Sequence, residues 1–292
     1  METKNKIKKT GLGAKTSRRI SNAIVYIVLV LITVVWLFPF FGLVMESFKV
    51  NTPAMDGELF PEKFGLDNYI RLFKETDFLL WFKNTALMGL ATAFFQTFFV
   101  LSMAYTLSRL RFKLRKPLMN FMLILGMFPG FLTMILIYKV FSDLGLTMEM
   151  APVGLIIVYC ASSAMTYYVS KGFFDTIPKS LDEAACIDGA TRNDIFFKII
   201  LPNSMPIVTY TAIEAFIAPW VDFIFVSVIM KDNYQNYTVA LGLYKMLERE
   251  NIYNYFTQFC AGAVLVALPI TLLFIKIQKF YVGGVVGGAV KG

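Results

Sequence analysis

Six stretches of this 292-residue chain are apolar for long enough to cross a lipid bilayer, and that pattern constrains the fold more than any other feature. They cover residues 22–45, 84–108, 117–138, 151–170, 207–230 and 257–277. Each holds about 20 residues or more, the length at which a helix rising ~1.5 Å per residue covers ~30 Å of hydrocarbon. No water in that layer satisfies backbone N–H and C=O groups, so the runs are expected to be helices. Composition agrees, with 57% apolar and 16% charged residues, against about 25% charged in soluble domains. The expected fold class is an all-α membrane protein with six transmembrane helices.

Lys and Arg set the orientation of such spans. Residues 1–21 form a basic tail with Lys4, Lys6, Lys8, Lys9, Lys15, Arg18 and Arg19. The loop after the second span holds Arg109, Arg111, Lys113, Arg115 and Lys116 without an acid, and the C-terminal end carries Lys276, Lys279 and Lys291. These regions are expected on the cytoplasmic side, which puts both termini there. Residues 46–83, with seven acids and five bases, are expected outside. A five-helix core then spans 84–280, and 281–292 is a glycine-rich cytoplasmic tail, expected to be flexible or to approach another backbone closely. The first apolar run is longer than the core of a signal peptide and is expected to stay in the bilayer.

Several function classes drop out. The chain has no His, which removes His-based metal sites, proton relays and acid–base catalysis. Cys160, Cys186 and Cys260 are scattered, with no metal spacing. No G-x-x-x-x-G-K-[ST] segment exists to cradle ATP phosphates, so energy from ATP must enter through a partner. The net charge of +8 sits in blocks flanking the spans, not in a stripe on a soluble fold, so no nucleic-acid partner is expected.

Residues 171–206 must be cytoplasmic by alternation, yet hold four bases and five acids. Such a loop has a task other than anchoring. Ser180 and Glu183 have the spacing of a capping box, which predicts a short helix. Gly189 ends or bends it, and Thr191, with Asp194 three residues on, caps a second one. Ile195, Phe196, Ile199 and Ile200 form an apolar face at helical spacing, and Pro202 and Pro206 punctuate the entry to the fifth span. Local physics leaves two readings open, a surface hairpin that merely closes a loop and a docking element.

The fixed positions here are Glu183, Ala184, Ala185, Gly189, Ile199, Leu201 and Pro202. This pattern resembles the cytoplasmic EAA loop of permease subunits of binding-protein-dependent ABC importers. Phe173 to Pro178, Met127-Phe128-Pro129, Phe216 to Trp220 and the C-terminal Gly283 to Gly292 are similar to the sugar branch, of maltose type. The resemblance implies a type I importer permease fold (MetI-like), no enzymatic activity and no cofactor, ATP and Mg being bound by partner ATPase subunits. The implied partners are a second permease in a heterodimer, two ATPase subunits and an extracytoplasmic sugar-binding protein reached by loop 231–256. The seven loop residues then belong to the coupling helix region, and the place is a bacterial-type cytoplasmic membrane.

Glu214 and Asp222 stand inside the fifth span. A carboxylate at the bilayer centre costs about 2.5–3.5 kcal/mol on insertion scales, so each must face protein or a water-filled cavity. Eight residues of regular helix would set them about 80° apart and about 12 Å along one axis. With Trp220 and Phe223 as ring-stacking surfaces they are candidates for a carbohydrate path. The bland alternative is a Glu214 bonded to a neighbouring helix and an Asp222 near the outer interface. The competing function is an ion-coupled carrier, which would have to use Glu214 or Asp222 alone.

Overall fold

The computed structural model describes residues 14–50, 57–161 and 164–289. Residues 1–13 of the basic tail and 290–292 of the glycine-rich tail lie outside the described residues. Within the described residues the fold is helical, with one isolated bridge between Lys49 and Phe64. The first span is α1 (Ala14–Ser47), followed by the short α2 (Asp67–Glu75) and the long α3 (Phe78–Arg109). Next come α4 (Arg115–Gly126) and α5 (Gly130–Asp143), then α6 (Ala151–Ala161) and α7 (Ala164–Asp175). The loop helices are α8 (Lys179–Ile187), α9 (Arg192–Asp194) and α10 (Leu201–Asn203), with a π-wound turn at Ile195–Ile200. The chain ends with α11 (Met205–Val221), α12 (Ile224–Met230), α13 (Val239–Met246) and α14 (Ile252–Ala289).

Among the described residues, three helices are long and apolar enough to cross a membrane unaided, at Thr16–Ser47, Phe78–Arg109 and Ile252–Gln278. The other three expected spans are bent pairs. α4 and α5 meet at 100°, α6 (with the preceding turn from Met148) and α7 at 44°, and α11 and α12 at 63°. Local chemistry accounts for two of the bends. Pro129 precedes α5 with φ −60° and ψ 120° and has no N–H to continue α4. After Pro219, Asp222 turns extended at φ −85°, ψ 105°, and its Oδ1 accepts the Phe225 N–H at 3.0 Å to start α12.

Most helix ends shift by a few residues from the sequence expectation, α1 by eight, since it starts at Ala14 inside the expected basic tail 1–21, and three further differences alter the architecture. The second span begins at Phe78, not at 84, because the preceding segment folds as α2 and packs its Leu72 into the core. Segment 231–256, expected to be a loop, contains α13, whose Val239, Leu241, Leu243 and Met246 are buried. The backbone of residues 283–289, expected to be a flexible tail, continues α14 as helix. At about 1.5 Å per residue, its 38 residues reach about 57 Å, well past the hydrocarbon.

Helix α3 organises the rest. Its Phe78, Trp81 and Met88 join Trp220, Tyr237 and Leu241 in one buried cluster, and its Leu101, Ala104 and Tyr105 join Phe174, Ile195 and Ile207 in a second at the other end. Between them Gly89 lets α11 approach closely, since a Cβ there would lie 2.9 Å from Phe216 O. Thr85 Oγ1 accepts the Val239 N–H at 2.8 Å, and Asn84 Nδ2 donates to Gln235 O and Tyr237 O, which ties the 231–246 segment down. Helix α1 is the exception. None of its most apolar 18-residue window is buried, although its C-terminal part lies against α14 around Phe256 and Phe259.

Candidate coupling loop and translocation groove

Helix α8 carries Glu183, Ala184 and Ala185 and has two unlike faces. Asp182 and Ala185, three residues apart, are buried, whereas Glu183 and Ile187, four apart, are exposed, as is Ala184. Ile187 is 87% exposed. The helix starts differently from the expected capping box. Pro178 occupies the N-cap position at φ −57°, ψ 130° and no side chain caps the helix, so Ser180 lies inside the first turn. A proline fixes the entry angle without a hydroxyl, which explains the shift.

Gly189 ends α8 in the left-handed region at φ 81°, where a side chain would be strained. The Ala190 N–H returns to Ala185 O at 2.9 Å and closes the turn. The second expected cap is present. Asp194 N–H donates to Thr191 Oγ1 at 3.2 Å while Thr191 N–H donates to Asp194 Oδ2 at 3.1 Å. Hydrogen bonds from Lys198 and Thr191 lower the Asp194 carboxyl to about 2. Ile195, Phe196 and Ile200 are buried, Ile199 and Leu201 pack on the same cluster, and Pro202 is exposed. The π winding of Ile195–Ile200 leads into Pro202, which has no N–H to return to Lys198 O.

The loop is held by the last turns of α3. Tyr105 OH donates to Arg192 O at 3.3 Å, and its ring lies 5.0 Å from that of Phe196. Ser108 Oγ donates to Asp175 Oδ1 at 2.6 Å. Arg109 Nη2 donates to Ile177 O at 2.9 Å, and its Nε stands 3.0 Å from Asp182 Oδ2. The Arg109 and Asp182 side chains are 2% and 12% exposed. Neither Arg109 Nε nor Asp182 Oδ1 makes an aligned hydrogen bond, so the pair is chiefly a charge contact. Arg109 reads in the sequence as one of several orienting cations. The structure makes it the partner of Asp182.

A second feature opens beside the helix breaks. A groove of about 1050 Å³ runs between α4–α5 and the α6, α7 and α12 side, lined by Phe128, Phe131, Tyr167, Asp222 and Phe225 among others. Among the described residues, Asp222 is its one charged lining residue. Tyr159 OH donates to Asp222 Oδ2 at 3.0 Å, so both carboxylate oxygens are engaged. Asp222 is the C-cap of α11, its N–H still bonded to Ala218 O at 3.3 Å, so it stays on the same helix as Glu214 and only the chain beyond it turns away. Glu214 is exposed on α11 and accepts from Thr166 Oγ1 at 3.2 Å. Trp220 is 5% exposed, packed edge-on to Phe82 at 5.0 Å and against Phe216. Its ring therefore serves the core of this chain. Phe223 stacks on Tyr244 at 4.3 Å.

Comparison with known proteins fits this geometry. Residues 100–282 match the family described as "Binding-protein-dependent transport system inner membrane component". The chain belongs to that family. It is a multi-pass permease subunit of an ABC importer, a transport component without catalytic activity. Similar proteins include the maltodextrin transport system permease of Bacillus subtilis (strain 168), 32% identical with 96% of this chain and 100% of that protein aligned. The galactooligosaccharides transport system permease of the same organism is 33% identical, covering 95% and 98%. Among solved structures, a bacterial ABC transporter involved in import of the acidic polysaccharide alginate superposes with a TM-score of 0.78, covering 93% of this chain and 100% of that one, at 21% identity. The MetNI methionine ABC transporter superposes at 0.51 and 18% identity, covering 70% and 94%. These last two likenesses establish the shared permease fold.

Proposed function

We propose that this chain forms, with a second permease subunit, the path by which an oligosaccharide crosses a bacterial cytoplasmic membrane. An extracytoplasmic binding protein delivers the sugar and two ATPase subunits power the cycle. Both termini and the 171–206 loop face the cytoplasm in this reading. The observation that carries it is the two-faced α8. One face is riveted to α3, while Glu183, Ala184 and Ile187 are held out with no partner face among the described residues. An exposed isoleucine beside a carboxylate, on a helix fixed at a set angle by Pro178 and Gly189, suits docking into a cleft of an ATPase. The relatives named for maltodextrin and galactooligosaccharide transport support a neutral oligosaccharide as cargo.

Asp222, Glu214 and Phe223 are the path residues of this proposal, with Asp222 at the break between α11 and α12 where a groove already exists. Trp220 supports them from behind. The test is uptake of labelled maltodextrin into proteoliposomes holding the complete complex. Uptake is expected to need ATP and the binding protein, and to stop with vanadate. Uptake driven by an ion gradient, with the ATPase absent, would overturn the proposal in favour of an ion-coupled carrier.

A further inference from the structure

Between the loop that meets the energy source and the spans that open the path, some element must carry the displacement. Two connections leave α8. The covalent one passes Gly189, at φ 81°, then the π-wound Ile195–Ile200, then a second break at Ser204 before α11 begins. A glycine turn, a widened helical turn and a helix break in series are compliant. The other connection is not covalent. Tyr105, Ser108 and Arg109 stand at i, i+3 and i+4 on one face of α3. They reach, in order, α9 at Arg192 O and the π-wound turn at Phe196, the end of α7 at Asp175, and the turn before α8 at Ile177 O together with α8 itself at Asp182. Four polar contacts and a ring contact therefore converge on less than two turns of one helix.

We propose that the C-terminal end of α3 is the transmission element of this permease, and that the buried Arg109–Asp182 pair is its principal positioning contact. Arg109 is suited to it. Its planar guanidinium engages a carbonyl and a carboxylate together, and an uncompensated charge in that 2%-exposed site is unfavourable. The pair thus stays closed when α8 is pushed. Displacement of α8 enters α3 as a rigid body, and α3 passes it to α11 across the Gly89–Phe216 contact. The break at Asp222 and the groove lie at the far end of α11.

This inference rests on the importer reading, and the experiment separates the two. The complete complex is reconstituted with wild-type chain, Arg109→Gln or Arg109→Lys, and both ATP hydrolysis and sugar uptake are measured. Arg109→Gln is expected to keep assembly and hydrolysis while sugar moved per ATP falls roughly three- to thirty-fold, the range for a residue along a coupling network. Arg109→Lys, which keeps the charge, is expected to recover part of the loss. Unchanged sugar per ATP in Arg109→Gln overturns the inference while leaving the importer standing, whereas a wild-type complex without ATP-driven uptake overturns the importer itself. If Arg109→Gln fails to assemble, Tyr105→Phe and Ser108→Ala, each lacking one hydroxyl, carry the test. Both must lower sugar per ATP, and normal ratios in both refute the role of α3.

Discussion

Replacing Gly89 by alanine tests whether α3 and α11 are in backbone contact. A Cβ at this position would lie 2.9 Å from Phe216 O and 3.1 and 3.2 Å from two atoms of the Phe216 ring. The carbonyl belongs to α11 and cannot rotate away, so the helices must separate by several tenths of an ångström. Overpacking of this kind costs about 1–3 kcal/mol. Against it stands the higher helix propensity of alanine, worth about 1 kcal/mol. Gly172 in α7 provides the control, because a Cβ there meets nothing within 4 Å. Gly172→Ala gains the propensity alone and is expected to raise the melting temperature by a few degrees, about 2–4 °C per kcal/mol in a chain of 150–250 residues. Subtracting the two variants cancels propensity and leaves the clash, so Gly89→Ala is expected to melt about 2–12 °C below Gly172→Ala in the same detergent. Equal shifts of the same sign would mean that the α3–α11 contact is not tight.

The site residues give further expectations. Asp222→Asn weakens the contacts from Tyr159 and Phe225 N–H and is expected to lower sugar uptake roughly tenfold, the worth of one charge-assisted hydrogen bond, with assembly intact; full uptake by a well-expressed variant would remove Asp222 from the path. Ile187→Asp is expected to weaken ATPase binding at least roughly tenfold, the signature of a buried interface anchor, and co-purification of normal amounts of ATPase would count against docking there. The carboxyl of Asp194 is lowered from 3.8 to about 2. Its folded value lies below the unfolded one, so its capping contribution is complete above about pH 4 and is lost as pH falls through about 2. Protease cleavage in 188–194 is expected to rise across that window and to be already raised at pH 5 in Asp194→Asn; a wild-type cleavage rate flat from pH 5 to 2 would contradict the box.

Much of the architecture was legible because hydropathy reports the environment each residue meets. All six apolar runs correspond to a long helix or a bent pair. The bends were less visible. Pro129 announces its own, but the break at Asp222 lies three residues after Pro219 and depends on a carboxylate turning back to Phe225 N–H. The Thr191–Asp194 box was readable because it is local. The Arg109–Asp182 pair was not, since nothing along a sequence couples charges brought together only by tertiary packing, and the neighbouring Ser108–Asp175 bond spans 67 residues. Trp220 was misplaced for a related reason. An aromatic beside an intramembrane acid reads the same whether it faces a cavity or Phe82.

The two alanines of the loop pattern show how far its chemistry is set by geometry. Successive helical residues point about 100° apart, so Ala184 and Ala185 cannot share a face. Ala185, 7% exposed, lies in the cluster with Phe174 and Ile195, while Ala184 is exposed beside Glu183. The inner alanine lets α8 lie close enough for Asp182 to reach Arg109. A longer side chain there would lift the helix and lengthen that contact. The outer alanine keeps the exposed surface low between Glu183 and Ile187, so that a partner helix or strand can approach the backbone. One requirement is imposed by this chain and the other, in the proposed complex, by the ATPase. The same residue type meets both because each asks for the absence of bulk.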